Sequence, residues 1–208
     1  MSGRAFVRYR FAERAMHATI GVVFLYVLLT GLALWTPGLY WLASILGGGF
    51  LARMLHPWAG VLLFFVVAWM FVLWQDSMRT MAADRAWKRA MKYYIRNEDE
   101  KVPPAGRFNY GQKVFFWVMV WGTIALLGSG LALWFPDAIP QNVAIIRQLA
   151  VLVHAIAALV VIAAFIVHVY MGVFVVPGSV EAIVHGTVPA EWARHHHRAW
   201  AEEIERSR

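Results

Sequence analysis

Cysteine is absent from the 208 residues, which excludes iron–sulfur ligation, thiolate catalysis and disulfide bracing within this chain. No cofactor can be held by thiolate. Charge is scarce too: 15% of the residues are charged against 61% hydrophobic, with 11 Trp and 13 Phe. That balance excludes a water-soluble domain and marks a polytopic membrane protein. No A-x-A-like cleavage site follows the first apolar run, which therefore reads as a retained helix and not as a signal peptide. Repeats of solenoid type are missing. The one internal echo is GLALW at 31–35, which recurs at 130–134 and reads as a shared interfacial Trp end of two helices, the alternative being a distant duplication of the first and third spans.

Four apolar stretches, roughly 16–36, 51–75, 112–135 and 144–175, are each long enough to cross ~30 Å of hydrocarbon. The expected fold is an all-α integral membrane four-helix bundle forming a single domain over 1–208, with a loop at 76–111 and a tail at 177–208. The net charge of +7 would suit nucleic acid, but its distribution argues against that. Arg4, Arg8, Arg10 and Arg14 precede the first span, nine Lys or Arg lie between Arg79 and Lys113, and four follow the last span. These make 17 of the 19 basic residues, and only Arg53 and Arg147 fall on the other side. The positive-inside rule then puts both termini and the long loop in the cytoplasm, and nucleic acid is not a partner. Within that loop, ADRAWKRAMKYYIR has the pattern of an amphipathic helix lying on the membrane surface.

The chemistry sits in the histidines. His154 and His168 share the last span, and fourteen helical residues turn through ~1400°, about 40° short of whole turns, while rising ~21 Å. Both imidazoles therefore face one way at two depths. An ionisable group inside the membrane is costly enough to be functional by default, with a partner to be named. His17 opens the first span and His56 the second. The alternating directions of the helices match His56 with His154 at the outer depth and His17 with His168 at the inner one. Two stacked bis-histidine pairs are what two b-type haems need. A small residue stands four positions after each histidine, Gly21, Gly60, Ala158 and Gly172, where a porphyrin plate needs the helix surface cleared. Structural zinc would gather its ligands together and does not fit a two-and-two split. A haem-free proton or ion transporter using the histidines as relay groups is the alternative of another class.

Arg53 and Arg147 lie three and seven residues before His56 and His154. They read either as partners of the outer haem's propionates or as side chains snorkelling at helix ends. His185 and the run His195, His196 and His197 read as a solvated tail cluster without assigned chemistry.

These residues resemble the cytochrome b (gamma) subunit of membrane-bound respiratory formate dehydrogenase. The likeness runs from RYRFAERAMH, through LHPWAG and FNYGQK, to the paired histidines of the last span. Related cytochrome b subunits of nickel-iron hydrogenases and thiosulfate reductases share the pattern and stand as the alternative within the class. The resemblance implies an electron-transfer subunit in the bacterial inner membrane. Electrons from a periplasmic molybdenum or tungsten alpha subunit would pass through an iron–sulfur beta subunit to haems on His56 and His154, then His17 and His168. Formate oxidation would occur on another chain. The resemblance further implies reduction of a quinone, menaquinone or ubiquinone, near the cytoplasmic face at Asn109, Gly111 and His168, and a trimer of heterotrimers. Without it, Asn109 would read as a helix N-cap and Gly111 as a turn residue.

Overall fold

The computed structural model describes residues 5–80, 82–96 and 98–207. Arg4, Arg208 and Asn97 of the runs discussed above lie outside the described residues. Four long helices carry the apolar stretches: α1 (Phe11–Trp35), α3 (Gly49–Trp74), α5 (Tyr110–Trp134) and α6 (Ile145–Tyr170). The last continues as a π-turn, Met171–Val175, closed by a 2.9 Å bond from the Val176 N–H to the Met171 carbonyl. Each helix is long and apolar enough to cross a membrane. Between α1 and α3 lies the short α2 (Trp41–Ile45), and between α3 and α5 lies α4 (Ala82–Ile95).

The long helices are apolar around their whole circumference because their surroundings are. On α6, Leu149, Leu152, Ile156, Val160 and Val167 are all exposed. Exposed apolar surface of that extent is costly in water and fits lipid. Pro57 stands inside α3, one residue after His56. Lacking an N–H, it cannot bond the Arg53 carbonyl, so the helix gives up one rung of its ladder beside the histidine.

The chain forms two compact units. One comprises residues 16–71 and 118–163 and holds parts of all four long helices. Here Gly122 of α5 lies against Val161 of α6 so closely that a Cβ would overlap the valine side chain. Ala33, Ala43 and Ala52 form a small core of short side chains. Trp58 and Trp134 meet edge to face at 4.9 Å.

The other unit comprises residues 1–15, 72–117 and 164–208. Its N-terminal strand β1 (Ala5–Val7) pairs antiparallel with β2 (Thr187–Pro189), Phe6 opposite Val188. The tail is folded, not a loose polar extension: α7 (Ser179–His185), α8 (Ala190–His196) and α9 (Arg198–Arg206) enclose a core of Phe6, Ala182, Val188, Ala193, Trp200 and Ala201. Gly186, at φ 81°, turns the chain into β2, and a Cβ there would meet the Tyr9 carbonyl at 2.6 Å. Only glycine serves both the angle and the approach.

Part of the apolar face of α4 lies on protein: Trp87 is buried and packs against Tyr94 and Tyr110, while Ile95 is exposed. Asp84 in its first turn pairs with Lys113 of α5 at 2.9 Å, both side chains being largely buried. An amphipathic pattern records that one face is covered, and lipid and protein satisfy it equally well.

His197 departs furthest from the solvated cluster expected of the tail, since it is 2% exposed. Its Nδ1–H donates to the Gly106 carbonyl at 2.8 Å, which leaves Nε2 to accept from the Arg8 guanidinium at 3.1 Å. Arg8 is itself 2% exposed and lies over the rings of Tyr9, Phe108, Trp192 and Trp200. Burial, reinforced by the Arg8 charge, holds the His197 imidazole well below the ordinary histidine range. The folded state therefore keeps His197 neutral while the unfolded chain takes up a proton below about pH 6.5, so acid removes stability. Thermal unfolding of the detergent-solubilised protein is expected to shift to lower temperature between pH 7.5 and pH 5.5. His197→Gln, which can keep both hydrogen bonds, is expected to flatten that slope; an unchanged slope would show that His197 is not its source.

Candidate functional site

Of the histidines singled out in the sequence, His56 of α3 and His154 of α6 lie in the same unit and are brought together. Their ring centroids are 6.4 Å apart, with the planes at 65°. Two imidazoles bonded to opposite sides of one metal at about 2.0–2.1 Å, with ~1.1 Å from nitrogen to ring centre, would stand ~6.3 Å apart. The observed separation matches that arrangement.

Each ring is held by a hydroxyl on a neighbouring helix. The His56 Nδ1 lies 2.9 Å from the Thr30 Oγ1 of α1, and the His154 Nδ1 lies 3.0 Å from the Ser129 Oγ of α5. The proton inventory sets the direction of these bonds. Thr30 donates its single hydroxyl proton to the Tyr26 carbonyl at 2.7 Å, and Ser129 donates to the Ala125 carbonyl at 2.6 Å. Each oxygen must then accept from its imidazole, so the Nδ1 carries the proton and the Nε2 keeps a lone pair. That is the tautomer a metal ligand needs.

The residue after each hydroxyl is a glycine, and both are tight against the rings. A Cβ at Gly31 would stand 3.1 Å from the His56 Cε1, and one at Gly130 would stand 3.3 Å from the His154 Cε1. The sequence echo is thus longer and more consequential than a shared Trp end. Thr30-Gly31 and Ser129-Gly130 open the segments TGLALW and SGLALW, and each receives one histidine. The hydroxyls escaped the sequence reading, although extending the repeat by one residue would have exposed them.

The glycines one turn beyond the histidines behave differently. A Cβ at Gly21, Gly60 or Gly172 would meet nothing within 4 Å. Glycines that bring helices together have a close neighbour, as Gly122 does; these have open space, which suits a flat cofactor lying on the helix. Arg147 donates to the Ile139 carbonyl at 2.8 Å, while its Nε is buried with no hydrogen-bond partner. A buried guanidinium N–H left over in this way fits a carboxylate such as a propionate. Arg53 is exposed on α3. Among the described residues, no group of three or more His, Asp or Glu gathers to hold a metal ion. The donors fit an iron that brings its own equatorial nitrogens.

His17 of α1 and His168 of α6 belong to different units. Both are half-buried. The His168 ring is stacked on Phe115 of α5, centroids 4.3 Å apart and planes 2° from parallel, a contact with no signature in the sequence. Asn109 and Gly111 lie in the same unit as His168. Asn109 caps α5: its Oδ1 accepts from the Gln112 N–H at 3.0 Å, and the Gln112 Oε1 accepts from the Asn109 N–H at 3.0 Å, closing a capping box. Its Nδ2 donates to the Tyr94 hydroxyl at 3.1 Å.

The open space at Gly60 yields a test. Leucine raises helix propensity over glycine by roughly 1 kcal/mol, so Gly60→Leu is expected to remain folded and helical by circular dichroism while losing the cofactor held by His56 and His154. Full haem content measured by pyridine haemochrome would rule out a plate at this position.

Residues 8–186 match the family described as prokaryotic cytochrome b561. The chain is 32% identical over 204 residues to the cytochrome b556 subunit of the nitrate-inducible formate dehydrogenase of Escherichia coli, covering 97% of this chain and 92% of that protein. It is 32% identical over 201 residues to a second Escherichia coli formate dehydrogenase cytochrome b556 subunit, covering 97% and 94%. With the formate dehydrogenase cytochrome b556 subunit of Haemophilus influenzae it shares 30% identity over 197 residues, 95% and 82% of the two chains. Four membrane-length helices and a family match over residues 8–186 together establish that the chain belongs to the prokaryotic cytochrome b561 family, as a relative of the formate dehydrogenase cytochrome b556 subunits.

Proposed function

We propose that this membrane cytochrome b is the quinone-reducing subunit of a respiratory formate dehydrogenase, holding one b-type haem between His56 and His154 and a second on His17 and His168. The observation that carries the reading is the His56–His154 pair, 6.4 Å apart, with each Nδ1 occupied by a hydroxyl and each Nε2 left to bond iron. The matching depths of His17 and His168 in the sequence support the second pair. Bound haem supplies one-electron redox chemistry; the chain supplies axial nitrogens, an apolar surround and fixed ring planes. Arg147, with an unused buried N–H, is the stronger propionate partner of the two arginines.

The distribution of the basic residues, 17 of 19 in the terminal segments and the long loop, supports a cytoplasmic location for those regions. The His56–His154 haem then faces the periplasm, where an iron–sulfur subunit and a molybdenum or tungsten catalytic subunit would dock. Moving an electron inward against a 100 mV potential costs ~2.3 kcal/mol, which a strongly reducing donor offsets. A trimer of such complexes is the assembly carried over from the resemblance.

Asn109, Gly111 and His168 form the proposed quinone site. The cap explains why Asn109 is buried, and its amide also provides hydrogen-bonding capacity next to a half-buried Gly111 backbone. Quinone reduction takes two electrons and two protons, so a polar helix end near a water-accessible face suits it.

The purified chain is expected to show a sharp reduced α-band with dithionite; its absence would leave the haem-free transporter as the better account. His56→Ala and His154→Ala should each remove one haem and leave the other visible. Simultaneous loss of both from a folded protein would contradict separate sites. Co-purifying subunits identify the complex, and a nickel-iron large subunit would replace formate dehydrogenase with hydrogenase.

For the quinone site, Asn109→Asp keeps the capping oxygen and removes the amide donor. Melting temperature should change little while quinone reduction slows roughly tenfold, the value of one lost hydrogen bond of about 1.4 kcal/mol. Unchanged quinone kinetics with intact haem would remove Asn109 from the site.

A further inference from the structure

We infer that Thr30 and Ser129 are twin positioning residues of the His56–His154 haem, and that their hydroxyls set its reduction potential. The inference rests on the haem proposed between those histidines. Both hydroxyls are buried in membrane-length helices, Thr30 being 0% exposed and Ser129 7%. Each sits within 3.0 Å of one imidazole Nδ1, on a helix other than that of the histidine it serves. Each spends its own proton on the carbonyl four residues earlier in its helix. Each is followed by a glycine whose missing Cβ lets the Cε1 edge of the ring approach the helix. The same dipeptide pattern is thus used twice, at equivalent positions of TGLALW and SGLALW, once for each side of one iron.

The physical consequence follows from the direction of the bonds. An imidazole that donates its Nδ1–H to an oxygen gains anionic character, and its Nε2 becomes a stronger donor to iron. A stronger donor favours the ferric over the ferrous state and lowers the potential. The device therefore acts on the haem nearer the electron donor and lowers its potential.

The test uses the purified haem-loaded protein and redox titration of the α-band, with low-temperature electron paramagnetic resonance of the ferric state. Thr30→Val keeps the shape and removes the hydroxyl, and Ser129→Ala does the same on the other side. Each is expected to weaken the ferric preference of one haem about tenfold, a rise of ~59 mV for a one-electron couple. The double variant should show both shifts, with the second haem unmoved. Thr30→Ser and Ser129→Thr keep the hydroxyl and should restore the wild-type potential and ferric signal. If Thr30→Val or Ser129→Ala instead loses that haem, retention in Thr30→Ser and Ser129→Thr still assigns the role to the hydroxyl, whereas loss there as well overturns it. A loaded protein whose potential and ferric signal are the same in all variants also overturns the inference. A wild-type protein without haem would instead overturn the proposed function beneath it.

Discussion

An imidazole inside hydrocarbon must place its N–H on an acceptor, because no water is there to take it. Much of the unit formed by residues 16–71 and 118–163 follows from meeting that requirement twice. Thr30 and Ser129 can accept because their own protons go back to carbonyls in α1 and α5. Gly31 and Gly130 must lack side chains because the rings approach them to nearly 3 Å of where a Cβ would be. Four helices are tied by these contacts, α3 to α1 and α6 to α5, while His56 and His154 face each other. The same bonds leave both Nε2 atoms available, so the groups that satisfy the membrane's demand also prepare the proposed iron site.

The unit containing the termini solves a different problem with charge. Glu13 is largely buried and receives the Trp74 indole N–H and the Arg107 guanidinium, the latter at 2.6 Å. Asp84 and Lys113 close the α4–α5 contact, with Lys113 also donating to the Arg79 carbonyl at 3.0 Å. Arg8 bonds His197 and is otherwise surrounded by aromatic faces. Buried ions of this kind contribute little net stability, but leaving one without its partner is costly, so they favour a single arrangement of strand, loop and tail. Residues far apart in sequence are thereby fixed around the Asn109 cap of α5, the end of the helix at which the quinone is proposed to bind.

Much of the fold was legible from hydropathy, since length and apolarity alone identify helices that cross a membrane, and α1, α3, α5 and α6 carry the four expected stretches. The meeting of His56 and His154 was legible too, because successive spans were expected to alternate in direction and each histidine lies near the start of its span, the second and the fourth. Other features were misread or missed for identifiable reasons. The tail looked solvated because charged residues and four histidines are spread along it, yet Val188, Ala193, Trp200 and Ala201 suffice to close a core with Phe6. The packing of Trp87 on Tyr94 and Tyr110 was missed because an amphipathic pattern does not say whether protein or lipid covers each part of the face.

By itself the sequence determined what depends on composition and period: four membrane-length helices, no thiolate ligands, and His154 and His168 on one face of the last span. Family membership followed from motifs of the same local kind. Only the tertiary structure decided which hydroxyl meets which imidazole, which glycines are crowded and which are open, and that Arg8 ends beside His197. Those outcomes depend on the rotation of each helix about its axis and on hydrogen bonds between residues 25 to 189 positions apart. A one-residue change of register would preserve the hydropathy pattern of a helix apolar on every side while turning its hydroxyl ~100° away from its histidine, so packing, not periodicity, sets the site.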